Sequence, residues 1–467
     1  MKTRVINYSE LKDTLRFDGS YHNAEINVYD NVIKKHSEHN LSFYCSDIFT
    51  PGRNKRIYTQ KEFGYPFLSN TEIVAADPLL TCKYSSKKYG SDESSLLKKG
   101  MILTGRVGAI GQTAFVPDYL EKIKALGSDN IIRIRVKPEH YNGFLYAYLA
   151  SRIGYLSFWK HATGGVQPFI TDKMVGELPI PDFPDSFKRE VDNLIQMATS
   201  LREEAIKELV FAEKMLKEKA NLSRLTSDYY DYYGHRNNKR KVSCFTRNIQ
   251  EIGTITINAF NHSERIRRLK ETMSCPVISL KEALKEGRTY GTSGLPNIEV
   301  KPGHGIMLIN QKDMFDNIVK GKWISSRGSD PENVLEYGEI LIACDGTLGE
   351  NELFCRAVFV NEDLQGSYVS SHFLRLKVND EIPAGYLYCW INSDYGFRFI
   401  RNTQAGTKLC HPINKLFLEI PVPAIEKEDM LEIDRIVREA HTKRHQANQK
   451  ELKAISMVEQ EIEKWNN

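Results

Sequence analysis

Long apolar runs are missing from this sequence. No stretch approaches the roughly 18 consecutive apolar residues that a membrane-spanning helix needs, and the first residues, M-K-T-R-V-I-N-Y-S-E, contain no apolar segment of a secretory signal. We therefore predict a cytoplasmic protein with no membrane partner.

Closely spaced cysteines are missing too. The 8 cysteines are scattered along the chain and none belongs to a Cys-x-x-Cys pair, which argues against a zinc ribbon and against a disulfide framework. We expect reduced side chains, mostly buried as small apolar residues.

Catalytic motifs are also scarce. None of the 17 prolines is adjacent to another, so the Asn/Asp-Pro-Pro-Tyr/Phe loop with which adenine methyltransferases hold a flipped base is absent. Gly303-x-Gly305 precedes a predicted strand, whereas a methyl-donor cradle precedes a helix. Glu299-Val300-Lys301 fits half of a nuclease motif, but the nearest upstream Asp is Asp231. A solvated strand end is the favoured interpretation, and we predict a chain that is not an enzyme.

Two histidines on a predicted helix, His441 and His445, are four positions apart and could share a metal ion. With no third ligand evident, an exposed polar patch is favoured. We predict no bound metal and no cofactor in this chain.

The composition provides for buried cores. It is 41% apolar and 27% charged, which is typical of globular chains, and the formal net charge of +4 permits a nucleic-acid partner without requiring one. Short apolar runs between 43 and 136, punctuated by Gly, Pro and Asn, predict a strand-rich mixed domain. Short helices are predicted from Val28 to Lys35 and from Gly143 to Leu149.

A long internal repeat organises the chain. The block G-F-L-Y-A-Y-L that begins at Gly143, with the S-R-I-G, A-T-G-G-V-Q-P and E-L-P-I-P that follow, recurs from Gly385 as G-Y-L-Y-C-W-I, S-D-Y-G, Q-A-G-T-K-L-C and E-I-P-V-P, 242 residues later (385 − 143). Upstream, Gly100 to Gly111 aligns with Gly338 to Gly349, and Gly64 to Ile73 with Gly305 to Met314. Nearly constant shifts over such a length indicate a duplicated domain and not a solenoid, whose units are about 20 to 50 residues.

Each copy ends in a segment with helical periodicity, from Phe187 to Leu216 and from Ile433 to Ile462, although His441 to Gln446 interrupts the second stripe. At 1.5 Å per residue each helix is roughly 50 to 60 Å long, and a narrow apolar stripe of that length needs a partner helix. The predicted interface residues are Val191, Leu194, Ala198, Leu201 and Leu209 in the first helix and Ile433, Val437, Ala440, Leu452, Ile455 and Ile462 in the second.

The predicted fold class is α+β: two tandem strand-rich mixed domains, each followed by a long helix, with the helices forming an antiparallel coiled-coil spacer of pseudo-twofold symmetry. Two reading heads on a rigid spacer suit a DNA duplex, whose turn is about 34 Å, and divergent loops imply two different sites. The predicted segments are a first domain at 1–185, a first spacer helix at 186–225, a polar linker at 226–241, a second domain at 242–425 and a second spacer helix at 426–467.

The ordered set G-Y-P-F-L-S-N-T-E-I, K-K-G-M-I-L-T-G-R-V-G-A-I-G, A-T-G-G-V-Q-P-F-I and L-P-I-P-D-F-P, followed by a long helix and present twice, resembles the specificity subunit of type I restriction-modification systems, or a close relative from a methylation-based phage-defence system. The resemblance covers nearly the whole chain, and its specificity lies in the ordered set and not in any single motif. It implies two target-recognition domains that read a bipartite, asymmetric sequence of double-stranded DNA, and helices that set the spacing.

The resemblance also implies partners. These are adenine-N6 DNA methyltransferase subunits, two of them, which would bind S-adenosylmethionine, and in some systems a nuclease or translocase subunit. The alternative is a DNA-binding scaffold of another defence system that is not coupled to restriction.

Candidate DNA contacts lie in the divergent loops, where basic and hydroxyl residues cluster. An ordinary solvated loop is the competing interpretation for each, and a structural tight turn for Arg106. The candidates are Arg53, Asn54, Lys55, Arg56, Lys83, Ser85, Lys87, Lys88 and Arg106 in the first copy and Arg288, Tyr290, Ser293, Lys322, Ser326, Arg327 and Lys408 in the second.

Overall fold

The computed structural model describes residues 5–14, 19, 21–22, 24–53, 55–90, 92–164, 166–225, 245–253, 255–296 and 298–465. These residues form an α+β structure with mixed helices and sheets. They divide into two compact units, which we call unit 1 (1–203 and 446–467) and unit 2 (204–445). The predicted linker at 226–241 lies outside the described residues. No helix in the described ranges combines the length and apolar character needed to cross a bilayer.

Unit 1 contains short helices around two four-stranded sheets. Its helices are α1 Tyr8–Thr14, α2 Ala24–Lys35, α3 Leu41–Tyr44, α4 Asp118–Lys122, α5 Asn142–Ala150, α6 Arg152–His161, α7 Asp172–Gly176, the first part of α8 Asp185–Lys219 and the last part of α15 Lys427–Lys464, from residue 446. Its strands are β1 His39–Asn40, β2 Cys45–Phe49, β3 Tyr58–Thr59, β4 Gly64–Leu68, β5 Lys83–Ser86, β6 Ile102–Gly105, β7 Thr113–Phe115, β8 Leu126–Gly127, β9 Ile131–Val136 and β10 Pro179–Ile180. The predicted helices at 28–35 and 143–149 are confirmed as α2 and α5.

Unit 2 is built in the same way. Its helices are the remainder of α8, α9 Ile249–Ile252, α10 Glu264–Glu271, α11 Leu280–Ala283, α12 Ala384–Asn392, α13 Asp394–Asn402, α14 Asn414–Leu418 and, up to residue 445, α15 Lys427–Lys464. Its strands are β11 Val277–Ser279, β12 Ile306–Ile309, β13 Lys322–Ile324, β14 Ile340–Ala343, β15 Ala357–Phe359, β16 Tyr368–Val369, β17 Phe373–Leu376, β18 Gln404–Ala405, β19 His411–Pro412 and β20 Pro421–Pro423.

The strand order repeats between the units. One sheet is ordered β2-β9-β6-β7 in unit 1 and β17-β14-β15 in unit 2; the other is ordered β3-β5-β4-β8 in unit 1 and β13-β12-β16 in unit 2. In the second sheet, β4 pairs in parallel with β8 just as β12 pairs in parallel with β16. Unit 2 therefore retains the frame of each unit 1 sheet without its outermost strand.

The same contact fastens a helix to the long helix in each unit. The backbone N–H of Gly143 in α5 donates to Oδ1 of Asp192 at 2.6 Å, and that of Gly385 in α12 donates to Oδ1 of Asp434 at 2.6 Å. A Cβ atom at either glycine would lie 2.7 to 2.8 Å from that carboxylate oxygen and 3.0 Å from the aspartate's backbone. Glycine is required in both copies because the two backbones approach so closely.

Segments of the long helices pair within each unit. In unit 1, Arg202 donates to Oδ1 of Asn448 at 2.8 Å and pairs with Glu451. In unit 2, Lys219 lies 2.8 Å from Asp429, and Lys443 lies 3.2 Å from Glu204. Along α8 from Glu204 to Lys219 the partners on α15 run backwards, from Lys443 to Asp429. The two helix segments of unit 2 are therefore antiparallel.

The apolar stripe of these helices is embedded in the cores. Val191, Ile195, Ala454, Val458 and Ile462 belong to the core of unit 1. Of the predicted interface residues, Val191, Ala198, Ile433, Val437, Ala440 and Ile462 are buried, and Leu194, Leu201, Leu209 and Ile455 are partly buried. Leu452 is 43% exposed, so its assignment to the packed stripe is wrong.

His441 to Gln446 contribute no apolar residue to the second stripe. The helix α15 is nevertheless continuous there. His441 is 3% exposed, with its ring 4.9 Å from Phe359 and 5.1 Å from Tyr388. His445 is partly buried and bonds to Asp363. These histidines therefore do not form the predicted exposed polar patch, because neighbouring elements of unit 2 cover that face of α15.

Candidate nucleic-acid interface

The outer face of one unit 1 sheet carries aromatic side chains. Tyr65 and Phe67 are two positions apart on β4, so they point to the same side. Both are half-buried, whereas Gly64, Pro66 and Leu68 of the same strand are buried. The ring of Tyr58 on β3, 41% exposed, lies 6.0 Å from that of Phe67.

Cations lie over each of these rings. The guanidinium of Arg56 is 5.6 Å from the centre of the Phe67 ring. The ammonium of Lys83 is 5.1 Å from that of Tyr58. Lys87 and Lys124 lie 5.5 and 5.9 Å from that of Tyr65. We call the set Arg56, Tyr58, Tyr65, Phe67, Lys83, Lys87 and Lys124 the cation–aromatic face.

This face has the chemistry of a nucleic-acid surface. Lysine and arginine neutralise phosphates and release counterions, and exposed ring faces accept bases or sugar edges. The prediction from sequence included three of the seven residues, Arg56, Lys83 and Lys87. It omitted Tyr58, Tyr65, Phe67 and Lys124. The alternation Tyr-Pro-Phe in a strand with buried neighbours is the signal that would have identified the two rings.

An acidic side chain organises the arginines at the margin of this face. Arg53 lies 3.7 Å from Oδ2 of Asp129, and Arg56 bonds to Oδ1. Burial raises the pKa of Asp129, but the hydrogen bond and positive charge of Arg56 outweigh it and hold that pKa below its usual value. The ionised carboxylate therefore fixes Arg56 in place, at the cost of part of the local positive charge.

The other unit 1 candidates differ in accessibility. Lys55 and Lys88 are exposed, as are Arg53 and Lys83. Ser85 is 2% exposed and its hydroxyl donates to the carbonyl of Gly90 at 2.7 Å, so its assignment as a DNA contact is wrong. Asn54 lies outside the described residues.

The structural alternative is supported for the backbone of Arg106. Its N–H donates to the carbonyl of Asn130 at 2.8 Å, and its carbonyl accepts from Ile170 at 3.0 Å. These backbone hydrogen bonds connect the Gly-rich loop, residues 106–112 between β6 and β7, to two neighbouring segments. The side chain of Arg106 is half-exposed.

The unit 2 candidates are spread over several loops. Lys322, Ser293, Ser326, Arg327 and Lys408 are exposed. Arg288 pairs with Glu286 at 2.7 Å and lies 4.2 Å over the ring of Tyr290. Tyr290 itself is 8% exposed, so its assignment as a DNA contact is wrong; it packs under the arginine.

The outer face of the equivalent unit 2 sheet is aliphatic. By the repeat, Ile306 and Leu308 of β12 stand where Tyr65 and Phe67 stand on β4, and both are half-buried. Lys322 pairs in register with Leu308 and lies 3.8 Å from Glu299. The two units therefore share a frame but differ in the chemistry of its outer surface.

Metal and thiol chemistry find little support in the described residues. No group of three or more His, Cys, Asp or Glu side chains there is arranged to hold a metal ion. Seven cysteines are free thiols and six of them are buried, which confirms the prediction for these seven; Cys244 lies outside the described residues. Burial raises the pKa of Cys45 and of Cys82 to about 12, so neither is a reactive thiolate at neutral pH.

Comparison with known proteins gave structural similarities. No protein-family model matches the chain, and no curated protein matches it. The S subunit of a type I restriction-modification system from M. genitalium aligns over 91% of this chain and 94% of its own, with 14% identity and a TM-score of 0.36. The HsdS subunit from Thermoanaerobacter tengcongensis aligns over 91% and 95%, with 12% identity and a TM-score of 0.28.

A third structure, described in terms of the complex assembly and conformational transition of the type I R-M system, aligns over 92% of this chain and 96% of its own, with 14% identity and a TM-score of 0.27. Over nearly its whole length, the chain is similar to S subunits of type I restriction-modification systems.

Proposed function

We propose that the chain is a sequence-specific DNA-recognition subunit that reads a bipartite, asymmetric target and docks methyltransferase subunits. The observation that carries the proposal is the cation–aromatic face, where four cations lie within 6 Å of three ring centres on one sheet. Such a surface suits a polyanion with planar bases better than it suits a small metabolite.

The duplicated frame supports a two-part target. The units repeat one strand order and one helix-fastening contact, yet their outer surfaces differ: Tyr65 and Phe67 in one, Ile306 and Leu308 in the other. Equal frames with different surfaces suit two readers of different sequences. The target would then be asymmetric.

The long helices are proposed as the spacer. In this proposal α8 and α15 form an antiparallel coiled coil of pseudo-twofold symmetry that fixes the gap between two recognition domains at 1–185 and 242–425. The ion pairs of Lys219 and Lys443 within unit 2, and of Arg202 within unit 1, support this. The helices would also dock the methyltransferase subunits, which supply S-adenosylmethionine chemistry that this chain is not proposed to perform.

A charge-removal experiment tests the DNA contact. Arg53, Lys55 and Arg56 are replaced together by Ala, and binding of the full chain to its selected target is measured by titration at several salt concentrations. If each cation contacts one phosphate, the slope of log K against log salt should become less steep by about 3, and protection should weaken over one half-site only.

The matched control is a second triple alanine variant in the same unit, at Lys173, Lys188 and Arg189, three cations that are not candidates. It removes the same charge, so a purely global electrostatic effect would lower affinity equally in both variants. Equal slopes for the two variants and the unmodified chain would contradict the proposed contact. Co-purification with an adenine methyltransferase tests the docking separately.

A further inference from the structure

A cluster of two histidines and one aspartate lies at one corner of unit 2, outside the candidate loops. Nδ1 of His372 and Nδ1 of His411 bond to the two oxygens of the Asp345 carboxylate, one to each. The imidazole side chains are 56% and 55% exposed, and the carboxylate is 16% exposed. We call these three residues the His–Asp–His corner.

The backbone explains why these residues meet. Asp345 lies in the Gly-rich loop after β14. The N–H of Cys344 before it donates to the carbonyl of His372 at 3.0 Å, and Gly346 after it exchanges backbone hydrogen bonds with Cys410, at 3.3 and 2.8 Å. Three segments are thereby tied together, with one histidine on each side of the carboxylate.

Unit 1 has the same corner with other side chains. By the repeat, Val107, Asn130 and Phe169 correspond to Asp345, His372 and His411. The carbonyl of Val107 accepts from the side-chain amide of Asn70 at 3.2 Å, as the carbonyl of Asp345 accepts from that of Gln311 at 2.7 Å.

The tie between the Gly-rich loop and the segment before β9 or β17 is also conserved between the units. The N–H of Arg106 donates to the carbonyl of Asn130 in unit 1, where that of Cys344 donates to the carbonyl of His372 in unit 2. Since Val, Asn and Phe build this corner in unit 1, the fold does not need two histidines and an aspartate there. The two histidines are exposed, differ between the units and are not needed for folding. Such polar side chains are suited to recognising a ligand.

The carboxylate determines what the rings offer to a ligand. An ionised carboxylate only accepts hydrogen bonds, so Nδ1 of each ring must carry the proton. In a neutral imidazole the other nitrogen, Nε2, is then an acceptor. With both rings in the neutral form, the His–Asp–His corner presents two oriented acceptors, which repel phosphate oxygens and attract hydrogen-bond donors. In the major groove those donors are the amino groups of adenine (N6) and cytosine (N4).

We propose that His372 and His411 each read the amino group of an adenine or cytosine in the half-site bound by unit 2, and that Asp345 is their positioning residue. This inference rests on the proposed function, since it requires that unit 2 bind DNA. It assigns base readout in unit 2 to residues outside the basic loops.

The experiment selects targets for the full chain from a pool of random-sequence DNA duplexes, comparing the unmodified chain with His372→Ala, His411→Ala and Asp345→Asn. His304→Ala is the matched control, an exposed histidine elsewhere in unit 2. Each histidine variant should lose the preference for A or C at one position of one half-motif. The other half-motif should be unchanged, and affinity for the original target should fall about tenfold.

Asp345→Asn gives a sharper outcome. The amide oxygen still accepts from one ring, but the amide NH2 donates to the other, which makes that ring's Nδ1 an acceptor and its Nε2–H a donor. At that position the preference should switch from an amino-bearing base to one that offers an acceptor instead, which is guanine (N7 and O6) or thymine (O4). A merely structural role for Asp345 would not produce a switch.

The outcomes separate the two proposals. If the unmodified chain selects no motif, the proposed function is overturned and the His–Asp–His reading with it. If it selects a two-part motif that both histidine variants also select with unchanged affinity, only the His–Asp–His reading is overturned. A uniform loss of affinity with an unchanged motif overturns base reading as well, and equal melting temperatures exclude unfolding as the cause of any change.

Discussion

Arg133 in unit 1 and Arg375 in unit 2 occupy the same position of the repeat, on β9 and β17, and both side chains are 0% exposed. Arg133 donates only to carbonyls, those of Ser128 at 2.9 Å, Ile131 at 2.6 Å, Ser95 at 3.4 Å and Gly127 at 2.5 Å. Burial lowers the pKa of Arg133 to about 10. All of these hydrogen bonds go to carbonyl dipoles, and the charges of Asp129 and Asp172 favour the cation without hydrogen-bonding to it.

Arg375 is held by a full charge. It donates to both oxygens of Glu339, at 2.9 and 2.8 Å, and Glu339 is 3% exposed. Met101 stands at the equivalent position of unit 1, and Arg133 there is hydrogen-bonded to carbonyls instead of a carboxylate. The comparison shows that the duplicated frame conserves a buried arginine but not the way it is neutralised, so the same substitution should have unequal consequences in the two units.

The largest effect is expected for Arg375→Met against Arg133→Met. The first leaves Glu339 buried without its main partner, because Lys377 is 3.7 Å away and compensates only in part, and should cost about 3 to 5 kcal/mol of unfolding free energy. The second leaves carbonyls without a donor and should cost about 1 to 3 kcal/mol. Urea denaturation measures both, and hydrogen exchange assigns the loss to β17 or β9.

A double variant, Arg375→Met with Glu339→Met, removes both charges and should recover most of the loss, since a buried pair replaced by apolar side chains is often neutral. Equal losses in the two single variants, or no recovery in the double variant, would break the distinction between carbonyl and carboxylate neutralisation.

An equal effect is expected where the units are alike. Gly143→Ala and Gly385→Ala both push a Cβ against the aspartate of the long helix, and each should cost about 1 to 3 kcal/mol through overpacking. Gly52→Ala and Gly291→Ala, where a Cβ meets nothing within 4 Å, are the controls in units 1 and 2. Thermal unfolding of the four variants is the measurement. A large loss in one unit and none in the other would show that the fastening contact is not equivalent.

The smallest effect concerns His441, whose repeat equivalent in unit 1 is Thr199. Burial, and then the charge of Arg444, hold the pKa of His441 well below its usual value. The folded state thus disfavours protonation. Neutral His441 therefore contributes its full stability to the folded state above the unfolded-chain pKa of about 6.5. As pH falls below that pKa, the free energy of unfolding decreases by at most about 1.4 kcal/mol per pH unit.

His441→Phe keeps an aromatic ring against Phe359 and Tyr388 and removes the titrating group. Unfolding free energies of the two chains, measured from pH 7.5 to 5, should therefore diverge on acidification, with the unmodified chain losing more. Parallel curves would mean that protonation of His441 does not contribute to the loss of stability on acidification.

The elements were more predictable from the sequence than the exposure of their residues. Apolar spacing predicted α8 over 187–216 and it spans Asp185–Lys219, because helical periodicity is a local property. The same spacing did not reveal that His441 is buried and Leu452 exposed. Those depend on which face of α15 the neighbouring elements cover.

The candidate site was predicted only in part, for a similar reason. Charge and hydroxyl content identified Arg53, Arg56 and Lys83, which are exposed, but also Ser85 and Tyr290, which are buried. Residue type is the same whether a polar side chain is exposed on a loop or buried against a sheet. Only the tertiary packing distinguishes the exposed residues from the buried ones.

By itself, the sequence determined the duplication, the long helices and the absence of paired cysteines, because each of these depends only on the spacing of residues along the chain. The tertiary structure decided which rings lie beneath which cations and which histidines share Asp345. Those groups come from separate strands and loops, and backbone hydrogen bonds between distant segments, not spacing, bring them within contact.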